Sequence, residues 1–296
     1  MRACVIFNPA ARGEKAKHFR EQLARLSTEA ALKPTYAAGS GRPLATQAVE
    51  EDFDTIVAAG GDGTLNEVLN GIGDAPDGLA RARLGLLPLG TVNVFARELR
   101  VPLHFEAAWR VIQQGREAFI DLPEADFTAE GRPARRLFAQ LAGAGLDSRA
   151  IELVDLEQKK SFGPLAYVVA GFKALAEKKP PVIASSAGAG AQGELILIGN
   201  GRYYGGQFNL FPKAELSDGL LDITVFPRVD WETLLRFGWG WLVDQIHSCA
   251  GCHTFQAPSV TLTSQSPVSL ELDGENVGQL PATLLLDGKK LRVLVP

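Results

Sequence analysis

Residues 54–72 read DTIVAAGGDGTLNEVLNGI, and the reading of this stretch decides the fold. Asp54 to Ala59 is a short apolar run of the kind a parallel sheet buries on both faces. Gly60-Gly61-Asp62-Gly63 interrupts it. Thr64 then opens a helix in which Leu65, Val68, Leu69 and Ile72 recur at helical spacing. Glycines let a ligand approach the main chain, and the free N–H groups and dipole of a helix start suit an anion such as phosphate. Asp62 among these glycines would repel phosphate unless a cation lay between them, so the combination points to a nucleotide with Mg²⁺. A tight strand–helix turn capped by an Asp would show the same residues. No Gly-Lys-Ser/Thr follows, so this is not a Walker loop, nor is it the spaced dinucleotide fingerprint.

Working outward, Ala3–Phe7 reads as a first strand, and Phe19, Leu23, Leu26 and Ala30 as a helical stripe. Thr35–Ala38 is the candidate second strand, followed by a helix through Leu44, Ala48 and Val49. Leu84–Leu87 is another strand; helices are expected from Asn93 and over Phe105–Gln114. Strands alternating with helices imply right-handed crossovers and a parallel sheet. Beyond about Asp121 the texture changes to strands such as GELILIG, GLLDITVF, SVTLTS and VSLELDG, separated by Gly, Pro, Asp and Asn. Helices are expected around Arg149–Gln158, Leu165–Glu177 and Trp231–Gln245. The Ala184–Gly193 stretch reads as a hairpin. The expected fold class is α/β, with a Rossmann-like (phosphofructokinase-like) nucleotide-binding domain over residues 1–122 and a mostly antiparallel β-sandwich domain over 123–296. The last strands are allowed to return to the first domain.

The chain has 296 residues, 46% hydrophobic and 22% charged, enough apolar material for two cores. A net charge of −4 and a pI near 5.7 argue against nucleic acid, which needs a basic face. Any membrane contact must be local and transient, through a small basic or apolar patch. No apolar run approaches the length of a spanning helix, and the first residues read as a strand rather than a secretory core. Three cysteines, Cys4, Cys249 and Cys252, suggest no disulfide scaffold. The expectation is a cytoplasmic protein with peripheral contact at the inner membrane face and room for a homodimer.

A second glycine loop follows the next strand: LGLLPLGTVNVFARELRVP, Leu84 to Pro102. Gly90-Thr91 before a helix repeats the strand–Gly–helix pattern, so the two loops are expected to meet at the carboxyl edge of the sheet. Thr91 offers a hydroxyl and Asn93 an amide; by themselves both read equally as helix caps.

Together these loops resemble the diacylglycerol kinase catalytic domain family, which includes bacterial lipid kinases and sphingosine kinases. The resemblance runs in order along almost the whole chain, through NPAARG (Asn8–Gly13), GGDGTLNEVLNGI, LPLGTVN (Leu87–Asn93), FIDL (Phe119–Leu122), AGAGLD (Ala142–Asp147), SDGLLDITV (Ser217–Val225) and LELDGE (Leu270–Glu275). It implies an ATP-dependent, Mg²⁺-requiring kinase for a lipid hydroxyl such as that of diacylglycerol, with the site between the domains. The implied ATP-binding positions are Asn8, Pro9, Gly60, Gly61, Asp62, Gly63, Thr64, Leu65, Asn66, Glu67, Gly90, Thr91 and Asn93. Glu275 falls on the proton acceptor, with Asp273 beside it. Asp218, with the backbone carbonyls of Glu215 and Leu220, falls on a structural Mg²⁺ site. Asp62 and Asp121 are left to organise the nucleotide's cation, because Val94 stands where the family usually has an Asp. Thr35 and Ser40 are the candidates for a hydroxyl after the second strand.

Several features have plainer readings. Asp287-Gly288 repeats the strand–Asp-Gly–strand pattern of Asp273-Gly274 and reads as a hairpin turn. Cys249-Ala-Gly-Cys252-His253 satisfies a haem-attachment pattern, but packing beside the Trp-rich helix is the better account. The basic runs Arg132–Arg136 and Lys159-Lys160 read as solvated faces. The alternatives to lipid phosphorylation are an NAD kinase-like phosphotransferase and a non-catalytic nucleotide- or lipid-binding protein.

Overall fold

A computed structural model describes residues 1–11, 14–146, 148–149, 180–230, 232–233 and 251–296. The helices expected around Arg149–Gln158, Leu165–Glu177 and Trp231–Gln245 fall almost wholly outside these residues, as do Lys159, Lys160 and Cys249. In chain order the first part carries β1 (Ala3–Phe7), α1 (Glu14–Glu29), β2 (Ala31–Pro34), α2 (Gly41–Glu50), β3 (Thr55–Gly60), α3 (Asp62–Asp74), α4 (Gly78–Arg81), β4 (Arg83–Pro88), α5 (Val94–Glu98), α6 (Phe105–Gln114) and β5 (Arg116–Asp121). Then follow β6 (Glu124–Ala129), β7 (Arg132–Leu137), β8 (Leu141–Gly145), β9 (Val182–Ser186), β10 (Ala189–Gly193), β11 (Leu195–Gly199), β12 (Tyr203–Tyr204), β13 (Phe208–Asn209), β14 (Leu221–Phe226), β15 (His253–Ala257), β16 (Ser259–Ser264), β17 (Ser269–Leu272), β18 (Glu275–Leu285) and β19 (Lys290–Val295).

The first sheet has the order β2-β1-β3-β4-β19-β5, with β2, β1, β3 and β4 parallel. Residues Thr55–Ala59 of β3 are all buried, as a strand covered by helices on both faces requires. The second strand is Ala31–Pro34, four residues earlier than the sequence suggested. Its register against β1 pairs Cys4 with Ala31 and Phe7 with Pro34, which leaves Thr35–Ser40 as the turn into α2. Phe19 of α1 packs edge-on against Phe7 and Phe105, with ring centroids 5.4 and 6.1 Å away, and so joins α1 and α6 to β1.

Helix α3 is buried around most of its circumference. Val68, Leu69 and Ile72 are fully buried in the first domain's core, each contributing about 1.5–3 kcal/mol relative to exposure. Its opposite face is polar yet equally buried: Asn66 and Asn70, one turn apart, point to the second domain. Asn70 accepts from Leu137 N–H and donates to Leu137 C=O, both at 2.9 Å, so one amide side chain pairs with a strand end as a neighbouring strand would.

The second domain is an antiparallel sheet of eleven strands folded over a core that includes Phe138, Ile196, Ile223, Leu270 and Leu284. β9 and β10 form the expected hairpin around Gly188. Asp287-Gly288 is a correction. β18 pairs with β6, β16 and β17, whereas β19 sits in the first sheet between β4 and β5, antiparallel to β5. The turn therefore carries the chain from one sheet to the other. The two Asp-Gly sequences differ in fate because the strand after each one has a different sheet in which to bury its apolar face.

Candidate active site

Gly60 ends β3, Gly61 precedes α3, and Asp62 is the first helical residue. The second loop lies directly on the first. Leu89 and Gly90 N–H both donate to Gly60 C=O, at 2.9 and 3.2 Å, and a Cβ on Gly90 would stand 2.5 Å from the Cα of Gly61. Only glycine allows two main chains to cross this closely. Thr64 packs its side chain onto Gly60. Asn93 takes the left-handed conformation (φ 54°, ψ 56°) and closes the second loop by donating to Gly90 C=O at 2.6 Å. Thr91 is exposed beside it. Asn8 and Pro9 are exposed at the carboxyl end of β1, where Asn8 Oδ1 accepts from Ala10 N–H at 2.8 Å.

Asp62 lies against the backbone N–H groups of Asn93, Val94 and Phe95 at the start of α5, which favour its charged form. Val94 thus serves the site through its main chain. Burial and, after it, the charge of Asp273 push the Asp62 carboxyl above the ordinary range, against the opposing effect of those backbone N–H groups. Two neighbouring carboxylates in a partly buried place are what a cation would relieve, so Asp62 fits the divalent ion expected with a nucleotide.

From the other domain, Asp273 and Gly274 make the two-residue turn between β17 and β18, both at positive φ. Asp273 accepts from the N–H groups of Ala139, Gln140 and Leu141 and from Asn66 Nδ2, at 2.8, 2.9, 3.1 and 2.8 Å. Burial nevertheless raises its carboxyl above the ordinary range. With its lone pairs directed at four donors it anchors the turn. Glu275, two residues on, faces the first domain. Its Oε2 takes a hydrogen bond from Arg136 Nη2 at 2.6 Å, and its Oε1 lies 3.1 Å from where a Cβ on Gly63 would stand. The structure therefore brings Asp62, Gly63 and Glu275 together across the domain boundary.

Other residues expected at the nucleotide have partners within the protein. Leu65 is buried in the core. The Asn66 amide donates to Asp273 and accepts from Asn70 and twice from Arg136. Glu67 accepts from the N–H groups of Gly39 and Gly41 at 2.8 and 2.6 Å and so holds the start of α2. The Ser40 hydroxyl closes its own turn with Ala37, leaving Thr35 as the candidate hydroxyl.

The expected structural Mg²⁺ site centres on Asp218. Asp218 is exposed and folds back to accept from Leu220 N–H at 2.9 Å. Among the described residues no three His, Cys, Asp or Glu side chains converge as a metal site. One carboxylate and the Glu215 and Leu220 carbonyls remain the donor set. Asp121, the other carboxylate expected near the nucleotide's cation, is buried; one oxygen pairs with the Lys290 ammonium, and the other accepts from Gly219 N–H at 2.9 Å. A side-chain cation already faces it.

Two residues stand outside what the sequence indicates. Arg136 belongs to a basic run that reads as a solvated face, yet its guanidinium turns to Asn66 and Glu275. Glu98, nearly fully buried at the end of α5, accepts from Arg202 Nε and N–H, Tyr203 N–H and Gln140 Nε2, and so makes a second tie between the domains. Neither residue stands in a motif. A charged residue inside a short apolar helix, as in VFARELRV, is the available signal for Glu98.

A parallel sheet whose crossed glycine loops face an acid delivered by a β-sandwich defines a two-domain fold of the phosphotransferase type. Residues 2–125 match the diacylglycerol kinase catalytic domain, and residues 140–295 match the YegS C-terminal NAD kinase beta sandwich-like domain. A diacylglycerol kinase of Staphylococcus aureus (strain bovine RF122 / ET3-1) is 31% identical over 313 residues, covering 100% of this chain and 92% of that protein. One from Staphylococcus saprophyticus is 30% identical, covering 100% and 95%. A crystal structure of a diacylglycerol kinase from Bacillus anthracis str. Sterne superposes with a TM-score of 0.77 at 24% identity, over 100% of this chain and 97% of that one, which speaks for the fold. The chain belongs to the diacylglycerol kinase catalytic domain family, in its two-domain YegS-like form.

Proposed function

We propose that this protein is an ATP-dependent lipid kinase that phosphorylates a hydroxyl of diacylglycerol or a related lipid. The observation that carries this reading is Glu275: an acid from the β-sandwich presented at Gly63 of the glycine loop, next to Asp62. The crossed loops and the start of α3 hold the phosphates through main-chain N–H groups. A bound Mg²⁺ would supply charge neutralisation of the phosphates, with Asp62 as the residue to hold it. The lipid oxygen attacks the γ-phosphorus, the bond to the β–γ bridging oxygen breaks, and ADP leaves. The hydroxyl proton passes to Glu275 Oε1, the oxygen that faces the loop.

The acceptor is met at a membrane surface through peripheral contact on the cytoplasmic side. No described helix is long and apolar enough to cross a membrane. The names of the staphylococcal relatives and the match of both domains support a diacylglycerol-like acceptor.

Purified protein, γ-labelled ATP, Mg²⁺ and a panel of diacylglycerol, a sphingoid base, an alkylglycerol and an undecaprenol-like lipid, with NAD as a control acceptor, test the reading by separation of labelled products. Label in a lipid supports it, and Glu275→Gln should lower kcat about 10²–10⁴-fold with ATP affinity little changed. Label in NAD alone, or in no acceptor, overturns it.

A further inference from the structure

Of the three arginines in β7, Arg132 is exposed, and Arg135 points outward to Glu124 and Asp126. Arg136 takes the opposite direction, as strand alternation requires, and its guanidinium ends in the cleft. Nε and Nη2 both donate to Asn66 Oδ1, at 2.8 and 2.5 Å, and Nη2 also donates to Glu275 Oε2 at 2.6 Å. Asn66 is 1% exposed and fixed in turn by Asp273 and Asn70. The arginine head is therefore located by α3, the helix that starts at the phosphate loop, and it grips one oxygen of the acid from the other domain.

A glutamate side chain left to itself samples several staggered rotamers. That of Glu275 is 42% exposed, so packing alone does not hold it. The pair with Arg136 selects the rotamer in which Oε1 faces Gly63, leaving that oxygen for chemistry while Oε2 is held. A planar, forked donor suits this double duty; a lysine offers a point charge on a flexible stem.

On the lipid-kinase reading above, we infer that Arg136 is a positioning residue for the proton acceptor: it fixes Glu275 over the glycine loop and ties its place to α3. The catalytic step depends on it; nucleotide binding by the loops does not.

The test is kinetic. Arg136→Ala should lower kcat about 100-fold, the scale expected when a reacting group is displaced by roughly an ångström, while the directly measured ATP affinity changes by less than about threefold. Arg136→Lys should recover only part of the rate, and added guanidinium should partly restore Arg136→Ala. In a Glu275→Gln background, removing Arg136 should cost little further rate, because the two act as one unit. If Arg136→Ala loses as much rate in the Glu275→Gln background as in the wild type, the inference fails. It fails equally if Arg136→Lys, which keeps the charge and fold, turns over like the wild type. If the wild-type protein transfers phosphate to no lipid, the kinase reading fails and the inference falls with it. A wild type that transfers while Arg136→Ala is equally active fails the inference alone.

Discussion

Asn66 Nδ2 donates to Asp273 Oδ2 at 2.8 Å, joining residues 207 positions apart in the chain and on different domains. One comes from the first turns of the phosphate-loop helix, the other from the turn that launches the strand carrying Glu275. The shape of the cleft depends on this link and on the Glu98–Arg202 tie on the other side of α5.

Asn66→Ala removes the donor to Asp273 and the acceptor for Arg136 from a buried network. It should lower stability by about 2–4 kcal/mol, more than one exposed hydrogen bond is worth, because the partners are left unsatisfied. Urea denaturation checks this; a loss under about 0.5 kcal/mol would mean that the network does not hold the domains.

The raised Asp62 carboxyl predicts a pH signature. A carboxyl held above its ordinary value binds its proton more tightly in the folded state than in the unfolded chain. It therefore favours the fold at low pH and loses that contribution as pH rises from the ordinary value of 3.8 through the folded one. In the absence of nucleotide and metal, the wild type should lose stability relative to Asp62→Asn as pH rises above 3.8, whatever the constant offset from the neighbouring backbone N–H groups. Parallel urea-midpoint curves for the two proteins would contradict the assignment.

Gly90→Ala places a methyl group 2.5 Å from Gly61 Cα and 2.8 Å from Asn93 Oδ1, so backbone must move. ATP affinity should drop by more than about tenfold, with a stability cost of about 1–3 kcal/mol. Gly63→Ala meets only the tip of Glu275, at 3.1 Å, which can swing away. It should retain the fold and ATP binding and lose turnover. Calorimetric titration with ATP separates the two, and equal affinity losses would argue against the crossed-loop account.

Lys290→Met leaves the Asp121 carboxylate buried without its cation. The lysine is 43% exposed and the aspartate 4%, so the loss should be about 2–3 kcal/mol, below that of a fully buried pair. Asp121→Asn in the same background should recover part of it, as read by thermal and urea melts of the three variants. No recovery would show that the pair's charge is not what matters.

Much of the site was legible because its main-chain part is local. A buried strand, glycines where backbones cross and a helix with a regular apolar stripe are set by neighbours a few residues apart, so both loops, most helices of the described residues and the turn at Asp273 could be placed from residue types. The sequence by itself also determined that an acid follows that turn. Tertiary structure alone decided which carboxylate does what. Asp62, Glu67, Asp121 and Asp273 are alike as acids, yet one lies against the start of α5, one holds α2, one faces a lysine and one anchors a turn. It also decided that Arg136 points inward and that Asp287-Gly288 crosses between sheets. Partners distant in the chain, from 26 positions for Glu67 and Gly41 to 207 for Asp273 and Asn66, settle such roles, because a charged group leaves water only where the complete fold supplies its counterpart.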